Sequence, residues 1–364
     1  MTDIKIVLED GSEFYGKSFG YQASAVGEVV FNTAMTGYLE SLTDPSYKGQ
    51  ILVMTYPLTG NYGVPLDEFE DNILKSLESD KIHVSALVTT DYSHDYSHWR
   101  ACKSLDEWMK DCRVPGIYGV DTRELTKRLR EKGSMTGKII YKNQYITAYN
   151  TYDDNLVDLV SCKEKIVYGN GSYRILLLDC GVRNNIIRNL LAADATVIRV
   201  PCNYDFLNEE YDGLLISNGP GDPKKCGAII QKVAKALQRD QPVMGICLGG
   251  QILGLAAGAS TFKLKYGHHS RNQPVRQTGG NTAIITSQNH SFAIDIDTLP
   301  ADWESYYVNL NDGTNEGIRH KSKPFFSAMF HHEPSGAIPD AENMFDTFIE
   351  EVKKCIISKN PDCN

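Results

Sequence analysis

Pro242-Val243-Met244-Gly245-Ile246-Cys247-Leu248-Gly249-Gly250-Gln251-Ile252-Leu253-Gly254-Leu255-Ala256-Ala257 is the stretch on which the fold of the second half turns. An apolar run enters, a cysteine sits among glycines, and an apolar run of helical length leaves, which predicts strand, cramped turn and helix. Glycine on both sides lets the chain pass closely while the cysteine side chain stands out from the turn. The first N–H groups of the following helix face the sulfur, favouring a thiolate and offering donors to a developing oxyanion. Cys247 is therefore a candidate nucleophile. The competing reading is a small buried cysteine packed between strand and helix.

Outward from this turn, the second half alternates strands and helices. Arg174-Ile175-Leu176-Leu177-Leu178-Asp179, Thr196-Val197-Ile198-Arg199-Val200 and Tyr211-Asp212-Gly213-Leu214-Leu215-Ile216-Ser217 read as strands, while Asn185 to Leu191 and Ala228 to Leu237 read as helices. Such alternation predicts an open, mostly parallel sheet covered on both faces, with ligands beyond the carboxyl ends of the strands. Ser217-Asn218-Gly219-Pro220-Gly221-Asp222-Pro223 falls at that edge. It reads either as a structural tight turn or, beside a nucleophile, as backbone that approaches a ligand, with the Gly219 and Leu248 N–H groups as oxyanion donors. The strand-like Phe325 to Met329 leads into Phe330-His331-His332-Glu333. On an extended segment His331 and Glu333 point the same way, so the carboxylate can orient an imidazole serving the sulfur, whereas His332 points to the other face. A surface pair is the alternative.

The chain has 364 residues, which favours two domains of about 150 to 200 residues. Hydrophobic residues make up 41% and charged residues 23%, a balance expected of a globular chain with no long disordered tract. A formal net charge of -9 argues against a nucleic-acid partner, whose phosphates favour a basic surface. No run nears the roughly 20 apolar residues that span a bilayer, so no membrane role is expected. Nine scattered cysteines without Cys-x-x-Cys spacing, and an N-terminus without an apolar signal segment, lead us to expect a reducing, cytoplasmic setting.

The first half reads as α+β. Ile4 to Leu8, Glu28 to Phe31 and Gln50 to Met54 are β-rich. Ser104 with Glu107 is a capping box, and Asp121 with Glu124 opens a helix that Gly133 closes. The polar stretch Phe31-Asn32-Thr33, Gly37-Tyr38 and Thr43 to Tyr47 reads as turns, either tying strands together or serving binding. No nucleophile with a base stands out here, so binding or docking is the expected role. Residues 141 to 172 read as a connector, ending in Gly169-Asn170-Gly171-Ser172. The expected division is 1–145, a linker 146–172, and 173–364.

Further motifs accumulate in a fixed order: Gly27 to Thr33, Gly37-Tyr38, Leu42 to Tyr47, Gly60-Asn61-Tyr62-Gly63, Gly119-Val120-Asp121-Thr122-Arg123, Ser217 to Pro223, Gly245 to Gly249, Gln288-Asn289-His290, Asn311-Asp312-Gly313 and His331-x-Glu333. Nearly the whole chain thereby resembles the glutaminase (small) subunit of carbamoyl phosphate synthetase, in wording most similar to the glutaminase region of the fused animal-type pyrimidine enzyme. The resemblance implies a swivelling β/β/α first domain and a flavodoxin-like class I glutamine amidotransferase domain. It implies Cys247 as nucleophile, His331 as base and acid, Glu333 as its orienter, and Ser46, Gly219, Gly221, Leu248, Gln251, Asn289, Ser291 and Phe292 as contacts to L-glutamine. It further implies that ammonia passes to a carbamoyl phosphate synthetase large subunit or domain, which would hold ATP and Mg, with no cofactor or metal on this chain. The phosphate-cradling motif Gly-x-x-x-x-Gly-Lys-Ser/Thr is absent. The carbamoyl phosphate would feed pyrimidine or arginine synthesis.

Three positions depart from the family pattern: Gly250 stands where His is usual, His332 where Pro is usual, and Ser291 where Gly is usual. None is a triad member. Two other readings compete, a non-catalytic subunit that docks a synthetase, and a peptidase or γ-glutamyl hydrolase using the same Cys and His geometry.

Overall fold

The structure is a computed structural model and describes residues 4–144, 146–147, 154–331 and 344–359. The chain divides into two compact units, Met1–Leu156 with Lys265–Ser270, and Val157–Leu264 with Arg271–Asn364.

The first unit is built on a closed seven-stranded barrel, in the order Ile4–Leu8, Met135–Tyr141, Ala25–Asn32, Gln50–Met54, Ala86–Thr89, Pro115–Tyr118 and Glu13–Gly20. Ala25–Asn32, Gln50–Met54, Ala86–Thr89 and Pro115–Tyr118 run parallel, and the other pairings are antiparallel. Alternate residues of these strands enter different cores, as a period of two requires. Val29, Ile51, Val53 and Val88 pack with Leu125 and Leu129; Val30, Leu52 and Leu87 pack with Leu105 and Met109. Both expected helices form. Leu105–Asp111 starts at Ser104, whose side chain accepts from the Glu107 N–H while Glu107 reaches back, and Thr122–Lys132 starts at Asp121 and stops at Gly133. Leu125 and Leu129 anchor the second helix, each contributing about 1.5–3 kcal/mol by burial.

The stretch 31–47 differs from its reading as turns. Gly37, at φ 84°, leads into a helix Tyr38–Thr43, and the Asp44 carboxylate accepts from the Ser46 N–H to start a 3-10 turn Pro45–Tyr47. Six residues are too few to show a helical period. Barrel closure likewise leaves no local mark, because it depends on which distant strands meet.

The second unit is a ten-stranded sheet whose parallel centre runs Ala195–Pro201, Tyr173–Asp179, Gly213–Ile216, Val243–Ile246 and Phe325–Ala328. In chain order this is 2-1-3-4-5, the flavodoxin-like arrangement. Leu176, Leu178, Leu214, Ile216 and Val243 fill the core with Ile252 and Leu253 of the helix that follows Cys247. The connector contributes structure of its own. Leu156–Val160 is helical, with Val157 in this core, and Ile166–Tyr168 adds an antiparallel strand at the sheet edge. Eight cysteines, among the described residues, are free thiols, and no described helix is long and apolar enough to cross a membrane.

Candidate functional site

Three neighbouring parallel strands deliver the candidate residues to one edge. Ile216 lies opposite Gly245, and Ile246 opposite Ala328. The chain therefore leaves the sheet at Ser217, Cys247 and Met329 side by side. Two residues beyond Met329, His331 bridges antiparallel to Ser287, its N–H donating to the Ser287 carbonyl at 2.8 Å. His331 is buried.

At the centre, Cys247 has φ 53° and ψ −112° and caps the helix Leu248–Ala257. A non-glycine residue at positive φ costs roughly 1–3 kcal/mol and persists only where the surroundings impose it. Those surroundings are explicit. The Cys247 N–H donates to the Ala328 carbonyl at 2.8 Å, and its carbonyl accepts from the Gly250 and Gln251 N–H groups at 2.9 and 3.1 Å. Gly249 has no room for a methyl, which would meet the Ile216 carbonyl oxygen, and one on Gly245 would come within 2.6 Å of the Gly249 carbonyl carbon. The turn is thus clamped from both sides, with the sulfur at a helix N-terminus.

Gly219 is as confined. A methyl there would strike the Cys180 carbonyl oxygen and lie 2.8 Å from Leu248 Cδ2, so the turn packs against the Cys180 backbone and the Leu248 side chain because Gly219 has no side chain. The turn is braced by Ser217, whose hydroxyl accepts from the Cys180 N–H and donates to the Asn218 carbonyl, each at 2.9 Å. Asn218 Oδ1 accepts from the Arg183 N–H at 3.1 Å. Beneath it the fully buried Asp179 carboxylate takes the Gly181 and Val182 N–H groups on one oxygen, and Cys162 N–H and the Arg199 guanidinium on the other, the last at 2.6 Å. Burial disfavours the Arg199 charge, but Asp179 outweighs it and raises the guanidinium above its ordinary pKa.

On the opposite side, the Cys247 thiol donates to the Asn289 carbonyl at 3.5 Å. Gln251, buried in the first helical turn, donates from Nε2 to the Phe292 carbonyl at 2.8 Å. The structure therefore brings Cys247, Leu248, Gln251, Asn289 and Phe292 into one cluster, with half-buried Ser291 between the last two. Gly221 has φ +91° in the Ser217 turn. Ser46 lies in the first unit, buried in its 3-10 turn. Glu333 and His332 lie outside the described residues.

One element escaped the sequence reading. The fully buried Glu316 lies 3.5 Å from His290 Nε2 and accepts from Asn309 Nδ2 at 3.0 Å, while its backbone carbonyl accepts from the Met329 N–H. His290 also reaches the Phe292 carbonyl through Nδ1, at 2.9 Å. A carboxylate behind residues 289–292 of the strand Ala283–Asp295 thus backs the segment that meets Cys247. Its only sequence signal is a carboxylate inside the strand Asn315–His320.

With that geometry, the chain joins two known domain types. Residues 6–139 match the carbamoyl-phosphate synthase small chain, CPSase domain, and residues 176–351 match glutamine amidotransferase class-I. It belongs to the carbamoyl-phosphate synthase small-chain family of class-I glutamine amidotransferases. Among curated relatives it is 49% identical over 356 residues to carbamoyl-phosphate synthase (ammonia), mitochondrial, of Homo sapiens, and 48% over 354 residues to that of Rattus norvegicus, in each case over 96% of this chain and 24% of the relative. It is 47% identical over 367 residues to multifunctional protein CAD of Squalus acanthias, covering 98% of this chain and 16% of the relative. The chain thus spans about a quarter or less of these relatives.

Proposed function

We propose that this chain hydrolyses L-glutamine to glutamate and ammonia and delivers the ammonia to a carbamoyl phosphate synthetase large subunit or domain. The observation that carries the reading is the meeting of Cys247, the Gly219 turn and the His331 segment at the carboxyl edge of three adjacent parallel strands. The Cys247 sulfur, as thiolate, attacks the side-chain amide carbon, and the carbonyl electrons move onto oxygen, held by the Leu248 and Gly219 N–H groups. His331, oriented by Glu333, gives a proton to the departing nitrogen, and the C–N bond breaks to leave a thioester and ammonia. Water, losing a proton to His331, then attacks the thioester; the C–S bond breaks, returning the thiolate and glutamate. Ser46, Gly221, Gln251, Asn289, Ser291 and Phe292 are proposed to seat the glutamine. Gln251 acts in part through the Phe292 carbonyl it holds.

ATP and Mg belong, in this reading, to the synthetase partner, and the carbamoyl phosphate feeds pyrimidine or arginine synthesis. The limits we assign are a small-subunit domain 1–145, a linker 146–172 and an amidotransferase domain 173–364. A cytoplasmic setting is supported by the free thiols; the mammalian relatives carry "mitochondrial" in their names, and fractionation of the source cells decides between the compartments.

Glutamate release measured with and without a synthetase subunit tests the function. We expect basal turnover that rises with the partner and is abolished by Cys247→Ser; glutamate release at the wild-type rate by that variant would sink the assignment. A second reading, a subunit that docks a synthetase without hydrolysing anything, is favoured by the word "ammonia" in the names of the mammalian relatives. Tight synthetase binding with no glutamine binding in calorimetry would establish it.

A further inference from the structure

Away from this site, the first unit holds a cleft of about 670 Å³ lined by Thr33, Thr55, Arg123, Thr126, Lys127, Arg130 and Glu131. That volume lies in the range of small-molecule sites. Its floor is set by the ends of two parallel strands, since Thr33 follows Ala25–Asn32 and Thr55 follows Gln50–Met54. One wall is the helix Thr122–Lys132, on which Arg123, Lys127 and Arg130 recur at spacings of four and three and so share a face.

The helix handles its cations in two ways. Arg128 and Lys132 both reach Asp10, and Arg128 also reaches Glu124. Among the described residues Arg123, Lys127 and Arg130 have no ion pair, although Glu131 is next to them and four residues from Lys127; Arg130 lies only over the Tyr266 ring, at 5.8 Å. Three cations thus converge on one cleft in a chain of net charge -9, where local repulsion would be relieved by an anion. The Thr126 Oγ1 atom is buried there with no hydrogen-bond partner among the described residues.

We infer that this cleft binds an organic phosphate: Arg123, Lys127 and Arg130 take the phosphate oxygens, Thr33 donates its hydroxyl, and Glu131 accepts from a ligand hydroxyl. The guanidinium forks match phosphate geometry. The carboxylate disfavours a bare anion and selects a hydroxylated one, such as a sugar phosphate or a nucleotide. The site shares no residue with the proposed glutaminase site and does not depend on that reading.

Calorimetric titration of the intact chain at low salt, with inorganic phosphate, a hexose phosphate and a nucleoside diphosphate in separate arms, tests it. We expect saturable binding of at least one organic phosphate, tighter than inorganic phosphate, weakened at least about tenfold by Lys127→Glu and by Arg123→Gln. Glu131→Gln should narrow the preference over inorganic phosphate. Both cationic positions are exposed, so thermal melts should match wild type; if Lys127→Glu fails to fold, Lys127→Gln replaces it. No saturable binding in any arm, or binding unchanged by the variants at Arg123 and Lys127, overturns the proposal.

Discussion

Cys247 and Cys226 are equally buried, each 2% exposed, and lie in the same unit, yet their surroundings differ. Cys226 belongs to the apolar core that also holds Cys180, Val233 and Leu237, and although it too precedes a helix, Gly227–Ala236, its φ is an ordinary −89°. Burial pushes its thiol up to about 12, and Cys202 is pushed up to about 11 for the same first reason. Cys247 sits at positive φ on a helix N-terminus, with two glycine contacts forcing the turn and a carbonyl against its sulfur. Solvent exposure therefore does not distinguish the proposed nucleophile from a core thiol. Backbone geometry does.

The largest effect should come from exchanging the two cysteines' fates. Cys247→Ser is expected to lower glutamine turnover by at least about a thousandfold, while Cys226→Ser leaves kcat within about twofold; comparable losses from both would break the contrast. Next, Gly219→Ala forces the turn off the Cys180 carbonyl and should cost roughly a hundredfold in kcat through a displaced oxyanion donor. A KM effect alone would reassign Gly219 to substrate binding.

Alkylation rates followed by mass spectrometry sharpen the same contrast. At pH 9 a thiol ionising near 12 is about one part in a thousand thiolate, so Cys226 should stay unlabelled while Cys247 reacts; early labelling of Cys226 would contradict its inertness. The sign for stability follows. An ordinary thiol ionises near 9 and these core thiols near 11 to 12, so between those values the unfolded chain holds fewer protons and stability falls as pH rises. Urea melts at pH 7 and pH 10 should show that fall, reduced in Cys226→Ala.

The smallest effect is expected at Gly250. A methyl there would lie 3.1 Å from Ser327 Cβ and 3.4 Å from Met329 Sδ, a tight fit offset by up to about 1 kcal/mol of helix propensity. Gly250→Ala should keep stability within about 1 kcal/mol in chemical denaturation. The bulk of His, usual in the family, would need Ser327 and Met329 to move, so Gly250→His should cost more.

Much of the turn around Cys247 was legible because its signals are local. Strand, glycine turn and apolar helix lie within sixteen consecutive residues, and Ser104–Glu107 and Asp121–Glu124 mark helix starts in four residues each. The parallel sheet could be read because each strand and helix has its own period. Barrel closure and the contribution of Val157–Tyr168 to the second unit could not, since each depends on contacts distant in sequence, and the helix Tyr38–Thr43 is too short to show a period. Glu316 was invisible for a related reason: only the fold brings it to His290.

The two sheets also differ in how they end. A closed barrel has no free edge, but the second sheet stops at Ile166–Tyr168, where Ile166 and Val167 are exposed and one side of the strand is unpaired among the described residues. An exposed apolar edge invites another chain to add a strand. Lys163, Glu164 and Lys165 stand exposed immediately before it, with Lys165 tied to Glu209 at 2.6 Å. These charges act as gatekeepers against aggregation, so neutralising them should be felt first in the yield of recoverable protein from cells, with catalysis per folded molecule left as it was.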